Sequence, residues 1–138
     1  MNLITRNTDY AIRALCYIVK SNKNIVSIKE LVESLKMPRP FLRKILQELG
    51  KRGILGSYKG KNGGFVLAAR PENIYIGKLI EIFQGPIKLQ EHTFRKKICP
   101  EIKSCVLKKK IDVMEKHTIS ELNSLSIASL LKTGRQDK

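Results

Sequence analysis

The sequence has no tryptophan, only four tyrosines and four phenylalanines, three cysteines and two histidines in 138 residues. It also has no run of about 18 apolar residues, so no membrane-spanning helix is expected. The N-terminus lacks the basic-then-apolar layout of an export signal, so the chain is expected in the cytoplasm. Three cysteines, Cys16, Cys99 and Cys105, are an odd number for a reducing compartment, which argues against a disulfide framework and leaves metal or redox chemistry as their possible roles. His92 and His117 lie far apart, and no nucleophile elbow, HExxH pair, glycine-rich phosphate loop or CxxC pair occurs. Enzymatic function is therefore not expected.

Acidic residues are scarce as well. Lys and Arg number 27 against 12 Asp and Glu, a formal net charge of +15. Such a charge repels itself unless a polyanion neutralises it, and nucleic acid is the foremost candidate. With 42% apolar residues the chain can still bury one core, so it reads as a globular unit with a short appended element.

Apolar spacing predicts a first helix from Thr8 to Lys20, with Ala11, Ile12, Ala14, Leu15, Cys16, Ile18 and Val19 on a broad inner face. Ser27 followed by Glu30 reads as a capping box opening a second, short helix through Ile28, Leu31, Val32 and Leu35. After the turn Lys36-Met37-Pro38, Pro40 suits the start of a third helix, in which Phe41, Leu42, Ile45, Leu46 and Leu49 form the inner stripe to about Gly50. Its outer face carries Arg39, Arg43, Lys44 and Gln47. Ile54 to Tyr58 and Phe65 to Ala68 read as two strands joined by a basic, glycine-rich tip. A fourth helical stretch, with Ile76, Leu79, Ile80 and Phe83 apolar, stops at Gly85-Pro86.

The fold class predicted is mainly α with a small β-hairpin, a winged helix-turn-helix over residues 1–85. Residues 86–99 read as a loop, and residues 100–138 as a long helix followed by a C-terminal one. Ile102, Val106, Leu107, Ile111, Val113 and Met114 recur on one side from about Pro100 to Lys116. Thr118 and Glu121 read as a second capping box, opening a last helix through Leu122, Leu125, Ile127, Leu130 and Leu131.

Two helices joined by a short turn and followed by a basic hairpin suit duplex DNA: the second helix fits the major groove, and the wing meets the backbone or minor groove. Between Lys36 and Lys61 stand eight basic residues and one acid, Glu48, a net +7 of the chain's +15 in under a fifth of its length. A merely solvated helix face would mix signs. Arg39, Arg43, Lys44 and Gln47 are the candidates for base edges, and Pro40 and Asn62 are also expected on the DNA-binding surface. Lys51, Arg52, Lys59 and Lys61 suit phosphates, and Gly60 and Gly63, with Gly64, let the wing turn tightly and bring backbone N–H groups near phosphate. Few aromatics accompany this basic face, which disfavours single-strand binding by stacking.

The segments TRNTDYAIRALCYI, SIKELVESLKMPRPFLRKILQELGKRGIL, SYKGKNGGFVLA and IYIGKLIEIFQGP, with Cys99 and Cys105 before TISEL, resemble the Rrf2 family of bacterial winged-helix transcription regulators, the IscR-, NsrR- and CymR-like group. The resemblance covers nearly the whole chain. It implies a homodimer joined through the long helix at about residues 100–117, with Leu107, Ile111 and Met114 as dimerisation candidates, and a near-palindromic promoter site on double-stranded DNA. An apolar stripe outside the winged unit also needs a partner on physical grounds, and two recognition helices would read half-sites about 34 Å apart.

Cluster-binding members of that family carry three cysteines before the long helix and a fourth ligand from elsewhere. Here Cys99 and Cys105 match the second and third, judged by the CVLKKKI that follows, while the first is absent and His92 stands near its place. Asp9 falls where some members supply a carboxylate from the first helix. The resemblance thus implies a ligand set of Asp9, His92, Cys99 and Cys105, suited to a two-iron rather than a four-iron cluster because mixed cysteine and histidine ligation of two irons exists. Thiol oxidation without a metal, and no ligand chemistry at all, remain open. The neighbouring Arg95, Lys96, Lys97, Lys103 and Lys108 favour thiolate in either of the first two cases. Cys16 reads as a small core residue, His117 as a capping or packing residue, and Lys108-Lys109-Lys110 as a solvated helix face.

Overall fold

The computed structural model describes residues 2–89 and 106–136. Helix α1 (Arg6–Ser21) has Asp9 in its first turn and Lys20 in its last, each at the helix end whose dipole it complements, and closes on Asn22 in the left-handed region at φ 56°. Its fully buried row is Thr8, Ala11, Ala14, Leu15 and Ile18. Ile12, Cys16 and Val19, expected on the inner face, lie one stripe to the side and are only half-buried.

Helix α2 (Ile28–Leu35) starts where Ser27 Oγ accepts the Glu30 N–H at 3.1 Å. The capping box is only half made. Glu30 turns its carboxylate to the Tyr17 hydroxyl at 2.6 Å and to Lys23 Nζ at 2.8 Å instead, tying α2 to α1 and its exit. Lys36, left-handed at φ 54°, ends the helix by donating its N–H to Val32 O. Helix α3 (Arg39–Lys51) follows at once, with Pro38 as N-cap and Pro40 in the first turn, where no amide hydrogen is missed. Leu42, Ile45, Leu46 and Leu49 are buried. Each such side chain contributes about 1.5–3 kcal/mol by leaving water. Phe41, expected in this stripe, lies outside it, because the packed face is centred on the other four residues. The helix ends in a Schellman motif: Gly53, at φ 76°, donates to Gly50 O and Ile54 donates to Leu49 O.

Strands β1 (Leu55–Tyr58) and β2 (Gly64–Leu67) form an antiparallel hairpin with Leu55 opposite Leu67 and Tyr58 opposite Gly64. Val26 adds an isolated bridge, exchanging both backbone hydrogen bonds with Phe65 at 2.9 and 2.8 Å. The wing is thereby pinned to the residue preceding the α2 cap. A single 3-10 turn (Pro71–Asn73) leads into α4 (Ile76–Gln84).

Helix α5 (Val106–Ser124) runs unbroken through the expected cap at Thr118. The Thr118 hydroxyl donates to Met114 O one turn back, so it satisfies an interior carbonyl and starts nothing. The chain breaks instead at Leu125 and Ser126, and the Ser126 hydroxyl caps α6 (Ile127–Gln136) by accepting the Ser129 N–H at 3.1 Å. Backbone pairing fixes that break, since Ile76 donates to Leu125 O and Ile127 to Ile74 O. Leu122 and Ile127 consequently enter the same core as α1 to α4. Where α4 meets α5, a Cβ built on Gly77 would lie 2.0 Å from Asn123 Oδ1, so a larger residue there would have to displace the Asn123 side chain. No helix among the described residues is long and apolar enough to cross a membrane.

Candidate nucleic-acid interface

The two basic surfaces share one side of the molecule. A groove of about 1030 Å³ is walled by α3 (Arg39, Arg43, Gln47, Lys51), the hairpin (Tyr58, Lys59, Gly60) and the start of α2 (Ser27 to Lys29). The Schellman turn at Gly53 sends the chain back along α3, and the Val26–Phe65 bridge holds the returning hairpin against the α2 start. The groove follows from those two connections.

Arg39, Pro40, Arg43, Lys44, Gln47, Lys51, Lys59, Lys61 and Asn62 are all exposed. Among the described residues none of these cations has a carboxylate partner. Arg52 differs, because its Nε lies 3.3 Å from Glu48 Oε1. Such an exposed pair is worth ~0.2–1 kcal/mol, little enough for a phosphate to replace the carboxylate.

At the wing, Gly60 takes φ 110° and accepts the Gly63 N–H at 3.1 Å, so that amide closes the turn rather than pointing outward. A Cβ on Gly63 would sit 2.1 Å from Tyr58 O, and one on Gly64 2.4 Å from Val26 O. These glycines serve backbone approach within the wing. Sequence reasoning missed the groove-lining Ser27, Ile28, Lys29 and Tyr58. The β-branched pair Ile25-Val26 just before a cap was the available signal for an extended residue that could pair with the wing.

Of the four expected cluster ligands, His92, Cys99 and Cys105 lie outside the described residues. Asp9 is half-exposed in the first turn of α1, with Oδ2 3.1 Å from Arg13 Nε. Beside it the Gln84 side chain accepts from Thr5 N at 2.9 Å and Thr8 Oγ1 at 2.6 Å and donates to Leu3 O. The start of α1 is thus fastened to the end of α4, two residues before Pro86, where the chain leaves toward residues 90–105. Among the described residues no three His, Cys, Asp or Glu side chains converge as a metal site. Burial pushes the Cys16 thiol above its ordinary pKa, with Lys20 partly offsetting this, which makes it a poor nucleophile. His117 neither caps nor packs: it is exposed on α5, 3.9 Å from Glu121. Of the dimerisation candidates, Leu107 and Met114 are 59% and 52% exposed and Ile111 is half-buried.

A helix-turn-helix whose second helix offers unpaired cations beside a glycine-turned basic hairpin is a winged-helix DNA-binding module. The family profile described as an iron-dependent transcriptional regulator, Rrf2, matches residues 4–133, and the chain belongs to the Rrf2 family of transcription regulators. Over 129 residues it is 30% identical to the HTH-type transcriptional regulator NsrR of Bacillus licheniformis, covering 86% of this chain and 90% of that one. A match of 42% identity to an HTH-type regulator of Aquifex aeolicus is shorter, 81 residues, and spans 59% of this chain and 56% of the relative. In fold it is similar to T. potens IscR, with a TM-score of 0.76 at 23% identity over 98% of this chain and 90% of that one. CymR of B. subtilis superposes with a TM-score of 0.74 at 21% identity, over 96% and 98% of the two chains.

Proposed function

We propose that this regulator works in the cytoplasm as a homodimeric repressor, binding a near-palindromic promoter site through α3 and the wing, and that the segment from His92 to Cys105 senses iron–sulfur or redox status. The observation that carries the DNA half is the shared groove, in which the unpaired cations of α3 and the hairpin face the same space. Labour divides along the chain: residues 1–85 read DNA, 86–99 hold the sensor, and 100–138 join the two subunits while anchoring to the first unit through Leu122 and Ile127.

The donor set Asp9, His92, Cys99 and Cys105 suits a two-iron cluster in its chemistry, two thiolates with an imidazole and a carboxylate. Asp9 is accessible, and the exposed Arg13 contact is weak enough to be given up. The Gln84 latch supports communication, because it fastens the helix that bears Asp9 to the end of α4, just before the sensor segment in sequence. A bound cluster would shift the dimer between two spacings of its recognition helices only by its differential affinity for them. Anaerobic purification with iron and sulfide analysis, followed by operator titration before and after cluster removal, tests this. Two irons per subunit and a changed affinity are expected; the absence of both, with thiol oxidation also without effect, overturns the sensing reading. Affinity that responds to oxidation without iron would favour the cluster-free alternative, for which the missing first family cysteine speaks. A preference for the operator below ~10³ over random duplex would instead indicate non-specific coating of DNA.

A further inference from the structure

One member of the predicted α3 stripe is not used by the core. Phe41 is 51% exposed in the first turn of α3, while Leu42, Ile45, Leu46 and Leu49 fill the interior without it. Pro40 and Lys44, beside it on the helix, are exposed too, while Arg39 and Arg43 are exposed on the opposite flank that lines the groove, so an apolar ring stands in water at the start of a cationic helix. A solvated face has no use for such a ring, and phosphates have none either. In the major groove the base edges present one apolar group, the 5-methyl of thymine, and residues at the N-terminal end of a recognition helix are those that reach base edges.

We propose that Phe41 is a specificity-determining residue that packs on a thymine methyl group in each half-site. The inference rests on the reading of α3 as the recognition helix. The ring supplies shape and apolar contact on one flank of the exposed face of α3, while Arg39, Arg43 and Gln47 supply hydrogen bonds from the other flank, which lines the groove; the preference it creates is for thymine over any base lacking that methyl.

The test uses the full chain and a duplex site selected with it from a randomised library. Each thymidine of that site is then replaced singly by deoxyuridine, which keeps every hydrogen-bonding group and removes only the methyl. One position per half-site should weaken wild-type binding by about fourfold, the loss for one buried methyl-sized group. Phe41→Ala should bind the thymidine site about tenfold more weakly, unfold at the wild-type temperature because the ring is outside the core, and be indifferent to deoxyuridine at that one position. Phe41→Leu should retain part of the thymidine preference. Equal deoxyuridine losses in wild type and Phe41→Ala at every position overturn the proposal, as does a Phe41→Ala variant that fails to dimerise. Failure of the library to yield any preferred sequence removes the reading of α3 itself, and the proposal with it.

Discussion

Helices α3 and α5 are both amphipathic and both lysine-bearing, yet they treat their apolar residues in opposite ways. In α3 four of the five apolar side chains named by the pattern are buried, and what remains outside is chiefly charge. In α5 the C-terminal half supplies Leu122 to the core, whereas Val106, Leu107, Val113 and Met114 near the other end are 52–68% exposed. Unpaired charge suits a polyanion, and a row of exposed branched and thioether side chains suits another protein surface. In the function proposed above the two helices are finished by different partners, α3 by DNA and α5 by a second copy.

The largest effect should come from separating these roles at α5. The double variant Leu107→Asp, Met114→Asp is expected to sediment as a folded monomer, because neither residue belongs to the core. Operator affinity should fall by ~10² or more as the two half-sites lose their linkage. A variant that remains dimeric would show that α5 is finished by something else.

Smaller and more selective effects are expected at α3 and the wing. Arg43→Ala should cost ~1–3 kcal/mol of discrimination at one base pair of each half-site, measured by competition among single-base variants of the operator. Lys59→Ala should weaken all sequences alike and reduce the slope of log affinity against log salt by about 0.9 per site. Identical behaviour of the two variants would erase the distinction between base-reading and phosphate-holding residues within the groove.

What the sequence disclosed follows the range of the interactions involved. The helix-turn-helix and hairpin were legible because their signals are local: the Ser27 cap, prolines at the start of α3, and two short strand-forming runs on either side of a glycine-rich tip. The Val26–Phe65 bridge was not, since 39 residues separate partners whose side chains carry no pairing code. The α5–α6 break was misread for a related reason. Thr118 and Ser126 both offer capping hydroxyls, and the choice between them is made by the distant backbone of Ile74 and Ile76. Phe41 was misread because spacing assigns a residue to a face but does not say how wide the buried face is. Of the proposed sensor only Asp9 can be compared, and its Arg13 partner, four residues on, was visible in the sequence as an ordinary helix pair.

The smallest predicted effect concerns how α2, the neighbour of α3 in the core, is held to α1. Glu30 accepts from Tyr17 and Lys23, and these contacts, Lys23 first, depress its pKa, while the Lys23 ammonium is raised by the same partnership. A carboxylate depressed in the folded state adds stability above its unfolded pKa of about 4.3, and that contribution is lost as pH falls through the folded value. Lys23 stays protonated throughout this range, so protonation of Glu30 alone breaks the pair. Glu30→Gln should therefore leave urea midpoints nearly unchanged below the folded pKa and lower them slightly at neutral pH, flattening the acid limb of stability. The effect is small because the site is open to solvent and screened. Since the hydrogen bonds and ion pair of Glu30 among the described residues run to Tyr17, Lys23 and Ser27 and none to α5, dimer dissociation should keep the wild-type pH dependence in this variant, and a parallel change in both would mean that the two helices are not finished independently.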